Sequence, residues 1–336
     1  MSTKFLKFVG VIFASGAALA NPPASAAETP KVGYSAGFLT DPFQSVLVQG
    51  ILEQSKGTGL GVLPAANANG DAAKQITDVR NLVTAGANLL IVNPTDSRAI
   101  VPALNFAQEK NVPVIAVDAA PAGGKVYMIV RADNIKMGQQ ACEAMGQALN
   151  GKGKVLSLMG DQATTNGRDR TVGFDDCMKK NYPNVKVIEQ PTNWKPEKAA
   201  SIAQTVLTSN PDLNGIYLQS DSVMLEGVLS VLKSAGKLVP KGVPKHIALV
   251  TIDGTQTALK NIRQKYVDVA ISQPLNLYIR HAVYFAHQAL NAPDGDHAEI
   301  KANVVALGSN KMDLIPATVV DEKNVNDASL WGNSKK

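Results

Sequence analysis

The chain has 336 residues, with 33 Lys and Arg against 28 Asp and Glu and 45% hydrophobic residues, enough for two domains of about 150 residues that each bury a core. Its formal charge is only +5 and no five like charges run together, which excludes the concentrated basic face of a nucleic-acid binder. Aromatic residues make up 5%, so any that falls in a loop is a candidate for ligand contact.

In chain order, Lys4 and Lys7 open a short cationic start, Phe8 to Leu19 is almost wholly apolar, and Ala24-Ser25-Ala26 offers small residues to a signal peptidase. This pattern predicts a secretion signal over residues 1–26, with cleavage after Ala20 as the alternative. Removing Lys4 and Lys7 from the formal +5 leaves +3. A retained N-terminal anchor is the alternative. Against it, the apolar stretch is shorter than the about 20 residues of a membrane span, and no later segment replaces it. The expectation is a mature protein outside the cytoplasm and not embedded in a membrane.

Past residue 30, short Val- and Ile-rich runs alternate with amphipathic stretches. Strands are predicted at Val32 to Ser35, Gly61 to Leu63, Leu89 to Val92, Val114 to Val117, Val155 to Met159, Val185 to Glu189, Gly215 to Leu218, Ala248 to Thr251 and Val269 to Ser272. Helices are predicted at Phe43 to Ser55, Ala72 to Thr84, Arg98 to Glu109, Ile135 to Leu149, Gly167 to Asn181, Pro196 to Ser209, Ser222 to Ala235, Gln256 to Lys265 and Leu275 to Leu290. Nearly continuous apolar strands alternating with helices imply parallel sheets covered on both faces, an α/β doubly wound fold. The two cysteines, Cys142 and Cys177, would meet an oxidising compartment, which favours a disulfide; the alternative is two small buried thiols.

Ligands of such sheets bind at the carboxyl ends of the strands, where strand order reverses. The residues just after the predicted strands are Asp41 to Gln44, Asn93 to Ser97, Asp118 to Ala120, Gly160 to Arg170, Thr192 to Lys195, Gln219 to Ser222, Asp253 to Thr255 and Gln273-Pro274. Carboxylates accept from sugar hydroxyls, Arg and amide groups donate to them, and the rings of Phe43 and Trp194 suit the C–H face of a sugar. Gly146-x4-Gly151-Lys152-Gly153 imitates a phosphate loop but ends a helix and lacks the Ser or Thr after Lys, so it is read as a helix stop. Asn67-x-Asn69-x-Asp71 lacks the Gly and Glu of a calcium loop and is read as a capped loop. His246, His281, His287 and His297 have no zinc-ligand spacing, and no nucleophile motif is present. No metal, cofactor or catalytic constellation is expected.

At these residues the chain resembles the periplasmic sugar-binding proteins of the ribose/galactose type, the solute receptors of bacterial ABC importers, over about residues 31 to 325. The landmarks are Leu39-Thr40-Asp41-Pro42-Phe43, Asn93-Pro94-Thr95-Asp96-Ser97, Pro113 to Asp118, Ala132-Asp133-Asn134, Arg170-Thr171-Val172-Gly173-Phe174, Asp253-Gly254-Thr255 and Gln273-Pro274. The resemblance implies two lobes joined by a three-stranded hinge, with crossings near Ala132 to Asn134, Gln273 to Leu275 and Leu314 to Ala317. The N-terminal lobe would span 31–132 plus 275–313 and the C-terminal lobe 133–274 plus 314–330. It implies a site made by Asp41, Phe43 and Asp118 from one lobe and Arg170, Trp194, Ser220, Asp253 and Gln273 from the other and the hinge, with Phe43 and Trp194 facing across the sugar. Asp221 is a further candidate contact, weighed against simple capping of the helix at Ser222. The disulfide would lie within the second lobe.

Ribose receptors of the family have Arg where this chain has Ala119, Asn at Ser220 and a second Phe at Gln44, and these departures point away from ribose. Asp41, Asp118, Asp221 and Asp253 outweigh Arg170, which disfavours an anionic ligand. The expected function is capture of a neutral monosaccharide or polyol in the periplasm by a monomer that closes about its hinge and delivers to ABC permease subunits. A sensor that serves a chemoreceptor or kinase, or an exported carbohydrate-acting enzyme using Asp118 and Asp253, are the alternatives. A transcriptional regulator sharing the fold would need a helix-turn-helix where the secretion signal stands.

Overall fold

The computed structural model of the protein describes residues 1–3, 28–291 and 300–334. Residues 4–27, which hold nearly all of the expected secretion signal, and His297 lie outside the described residues.

The predicted alternation appears as two separate sheets. The first is built from β1 (Lys31–Ala36), β2 (Gly61–Val62), β3 (Ala66–Asn67), β4 (Leu89–Val92), β5 (Val114–Val117), β6 (Met128–Ala132), β12 (Val304–Leu307) and β13 (Asn310–Ile315), in the order β12-β13-β6-β5-β4-β1-β2 with β3 also on β1. The second contains β7 (Lys152–Met159), β8 (Asn184–Pro191), β9 (Gly215–Leu218), β10 (Ala248–Asp253), β11 (Val269–Ser272) and β14 (Thr318–Val320), in the order β14-β11-β10-β9-β7-β8. Among the described residues only the pairs β12–β13 and β11–β14 are antiparallel. The chain passes between the sheets after β6, after β11 and after β13. These passages are the three-stranded hinge of a two-lobe fold. β13 stays in the first sheet to Ile315, two residues beyond the expected boundary at 313.

The central strands are buried along their whole length, as in Leu89–Val92 and Val114–Val117, because helices cover both faces. The helices are α1 (Pro42–Gly57), α2 (Ala72–Thr84), α3 (Val101–Glu109), α4 (Asn134–Ala148), α5 (Thr165–Asn181), α6 (Pro196–Ser209), α7 (Asp221–Ser234), α8 (Gln256–Arg263) and α9 (Leu275–Leu290). Their starts follow from side-chain caps. Asp41, Asp71, Asp133, Thr164 and Thr255 each accept from an N–H of the first turn, which satisfies donors the helix leaves unpaired. Asp71 thereby fills the role read for the Asn67–Asp71 loop, with Asn67 accepting from Leu39 and Asn69 N–H groups.

Cys142 on α4 and Cys177 on α5 form the expected disulfide, with an S–S distance of 2.04 Å. Their helices cross closely through Gly138 and Gly173, where a Cβ on either would strike backbone of the other helix. The strands absent from the expectations, β3, β6 and β12 to β14, are either very short or lie beside the hinge. β6 reads Met-Ile-Val-Arg-Ala, and its Arg breaks the apolar run that signals a buried strand. No helix among the described residues is long and apolar enough to cross a membrane.

Candidate functional site

The carboxyl ends of both sheets face each other across a cleft of about 480 Å³, in the range of small-molecule sites. Its walls include Asp41, Phe43 and Asp118 from the first lobe and Arg170, Trp194, Ser220, Asp253 and Gln273 from the second lobe and hinge. Asp221 is not among them. It is 3% exposed, and its carboxylate accepts from Thr251 Oγ1 and from the Gly254 and Thr255 N–H groups. The ligand-contact reading of Asp221 is corrected to a structural one: it holds the loop that carries Asp253.

Asp118 follows β5 and adopts φ 62°, while Asp253 ends β10 at φ 117°; both are uncommon for residues with a Cβ, and such strain collects at functional sites. Asp118 accepts from Asn93 Nδ2 at 3.2 Å and, across the cleft, from Asn166 Nδ2 at 2.9 Å. Burial pushes its carboxyl up, opposed by Arg170, the Asn93 hydrogen bond and Arg131. Asp253 accepts from Ser220 Oγ at 2.7 Å and Gln273 Nε2 at 2.7 Å, with Arg170 Nη1 3.8 Å away. Gln273 accepts in turn from Tyr278, whose oxygen takes the Ala132 N–H. The hinge crossings at β6 and β11 are therefore wired into the site.

Arg170 does not offer a free fork to the cleft. Its Nε donates to Asn134 Oδ1 at 2.7 Å and its Nη1 to the Gln219 carbonyl at 2.5 Å, and its guanidinium lies 5.8 Å from the Trp194 ring centre. Trp194 follows Asn193, and both adopt left-handed backbone with φ 56° and 57°. The indole covers Gly160, where any Cβ would overlap its six-membered ring. A glycine at the end of β7 thus makes room for the aromatic wall.

Phe43 lines the cleft but is only 2% exposed. Its ring packs edge-on against Tyr278 at 6.0 Å and Trp331 at 5.9 Å, so it belongs to the core as much as to the wall, and the expected pair of rings facing across a sugar becomes one half-buried indole and one packed ring edge. Trp331, which the sequence reading did not single out, also donates through Nε1 to the Asp253 carbonyl at 2.7 Å.

The lobes touch directly on both sides of the cleft. Ser222 Oγ of α7 lies in hydrogen-bond contact with Asp41 Oδ1 at 2.7 Å. On the other side, Thr165 N–H donates to Ser97 Oγ and Ala120 N–H to Thr165 Oγ1, both at 2.9 Å. Behind Asp118, Arg131 of β6 pairs with Asp169 at 2.8 Å and donates to Asn166 at 2.9 Å, both on α5. Arg131 was legible only as an odd charge in an apolar run. Among the described residues no group of His, Cys, Asp and Glu is arranged to hold a metal ion.

The periplasmic binding protein domain matches residues 32–294. The ribose import binding protein of Haemophilus influenzae is 30% identical over 281 residues, 83% of this chain and 91% of that protein. That of Bacillus subtilis is 29% identical over 260 residues, 77% and 81% of the two chains. A xylitol-binding protein of Mycolicibacterium smegmatis is 31% identical over 199 residues, 59% of this chain and 54% of that protein. Among solved structures, an ABC transporter solute-binding protein from Mycobacterium smegmatis with bound glycerol superposes with a TM-score of 0.76 at 25% identity, covering 89% of this chain and 96% of that one.

Proposed function

The chain belongs to the periplasmic binding protein family, and on that premise we propose that it captures a neutral monosaccharide or sugar alcohol between its lobes by hinge closure and delivers it to the permease subunits of an ABC importer. The observation that carries this reading is a cleft whose polar walls come from both lobes, so that neither half alone completes the site. Periplasmic location and action as a monomer are parts of the same proposal. Relatives that bind ribose and xylitol support the carbohydrate class.

Within that class, Asp41, Asp118 and Asp253 accept from ligand hydroxyls, Gln273 and Ser220 complete the polar wall, Trp194 covers a C–H face, and Phe43 backs it. Arg170 acts chiefly by fixing Asp253 and Trp194, since two of its donors are already used. Ala119 lines the cleft where ribose receptors carry Arg, and Gln44 spends its Oε1 on the Phe38 N–H. The pocket therefore has fewer donors than a ribose site, which favours a polyol or a differently shaped sugar.

A thermal-shift screen of pentoses, hexoses, deoxy sugars and polyols tests the reading. A true ligand at about 100 times its dissociation constant adds roughly 2.7 kcal/mol. A panel-wide absence of any shift would overturn it.

A further inference from the structure

Where the lobes meet, two serines and two carboxylates have more short contacts than hydrogens to fill them. Ser222 Oγ lies 2.7 Å from Asp41 Oδ1, 2.9 Å from Asp253 Oδ2 and 3.0 Å from Ser220 Oγ, and Ser220 Oγ lies 2.7 Å from Asp253 Oδ2. Each hydroxyl has one hydrogen. With both carboxylates ionised, two of these four contacts can be hydrogen bonds, and the others press lone pairs together. One more hydrogen, on Asp41, fills three of the four contacts: Asp41 donates to Ser222, Ser222 and Ser220 both donate to Asp253, and only the longest contact, Ser220 to Ser222 at 3.0 Å, is left without a hydrogen.

Asp253 is the better partnered of the two carboxylates, because it also accepts from Gln273 Nε2 and the Ser222 N–H and has Arg170 at 3.8 Å. Asp41 accepts only the Phe43 N–H besides Ser222, and no ion pair includes it among the described residues. The charged groups around it are Asp253 at the end of β10, Asp118 after β5, Glu226 on the rim from α7 and Arg170 from α5, which is turned towards Asp253. α9 meets α1 through Tyr278 and Ile279. A neutral ligand brings no charge to relieve this imbalance.

We propose that capture of a neutral ligand is coupled to uptake of one proton, held on Asp41 at the contact between the lobes, an inference that rests on the neutral-polyol reading of the cleft. In the closed cleft, burial and the neighbouring Asp253 push the Asp41 carboxyl up to about 7, against the Ser222 and Phe43 hydrogen bonds. In an open form Asp41 is parted from the second lobe and titrates as an ordinary carboxylate near about 3.9. The sign follows from linkage. Above the closed-state value neither form holds the proton, and affinity is flat. Between the two values only the closed form holds it, so affinity rises as pH falls, by up to about tenfold per unit, and it levels off below the open-state value.

Calorimetric titration with a sugar or polyol from the screen, repeated in buffers of different ionisation enthalpy, counts the protons. The expected result is uptake of about one proton near pH 6 and almost none near pH 8.5. Asp41→Asn, which keeps a capping side chain and a neutral donor, should abolish both the uptake and the pH slope while its melting midpoint and circular dichroism show an intact fold. Binding without proton uptake in the parent protein would overturn the proposal and leave the carbohydrate reading standing. Uptake that persists in Asp41→Asn would place the proton elsewhere and also overturn it. If no compound of the panel binds, the carbohydrate reading fails and takes the coupling with it.

Discussion

Trp194 shows how the surroundings of a single side chain set it into the wall of the cleft. A tryptophan in left-handed backbone is costly, and the fold offsets that cost with the indole's burial over Gly160 and its contact with the Arg170 guanidinium. Trp194→Ala should weaken ligand binding by about 1 to 3 kcal/mol, roughly 5- to 150-fold, with the fold retained. Gly160→Ala tests the same wall from beneath, because its methyl and the indole cannot share the space. Calorimetry should show a comparable loss and tryptophan fluorescence an altered indole environment; parent-like affinity in both variants would remove Trp194 from the site. Sequence reading found Trp194, Asp118 and Asp253 because each follows a strand or sits in a polar loop. It could not separate Asp253, which faces the cleft, from Asp221, which faces away, since both lie just after apolar strands.

At the scale of elements, α4 and α5 form the frame that aims Arg170. Their glycine crossing lets Arg170 reach Asn134 on α4 while the disulfide ties the helices further along. Gly173→Ala would force the helices apart, and we expect both a lower melting temperature and weaker binding, since Arg170 and Asn166 ride on α5. The 35-residue separation between Cys142 and Cys177 gives a chain-entropy stabilisation of about 3 to 4 kcal/mol, so reduction should lower the denaturation midpoint correspondingly. An unchanged urea midpoint after reduction would show that packing of the two helices suffices. The central strands and all of the helices between β1 and β12 were readable because period and apolar content agree with their burial. β6, β13 and β14 were not, because a hinge strand carries mixed chemistry such as Arg131 and Asp313 and takes its partners from distant parts of the chain.

At the scale of the molecule, the proposed closure means that ligand affinity includes the work of bringing two lobes together. Arg131 does not line the cleft, yet it joins β6 of one lobe to Asp169 and Asn166 of the other. Arg131→Met should therefore weaken binding by about 1 kcal/mol, roughly fivefold, by disfavouring the closed form without touching a ligand atom. Calorimetry on the variant decides it, and an unaltered dissociation constant would show that this bridge forms in the open state too. Small-angle scattering of the parent protein should show a smaller radius of gyration when the ligand is added. No change alongside measured binding would mean that the lobes are already closed before the ligand enters.

The sequence by itself determined the strand and helix alternation, the parallel sheets, the pair of cysteines and the set of polar residues at strand ends, because each depends on local periodicity or on a residue's place relative to an apolar run. Tertiary structure alone decided which of those residues share one cleft, that Phe43 spends its ring on Tyr278 and Trp331, that Asp221 serves a loop, and that Arg131 bridges the lobes. It also decided the meeting of Asp41 with Ser222, 181 residues apart in sequence. The physical reason is that proximity across a hinge arises from how two separately packed sheets are set against each other, and no periodicity within either one encodes that placement.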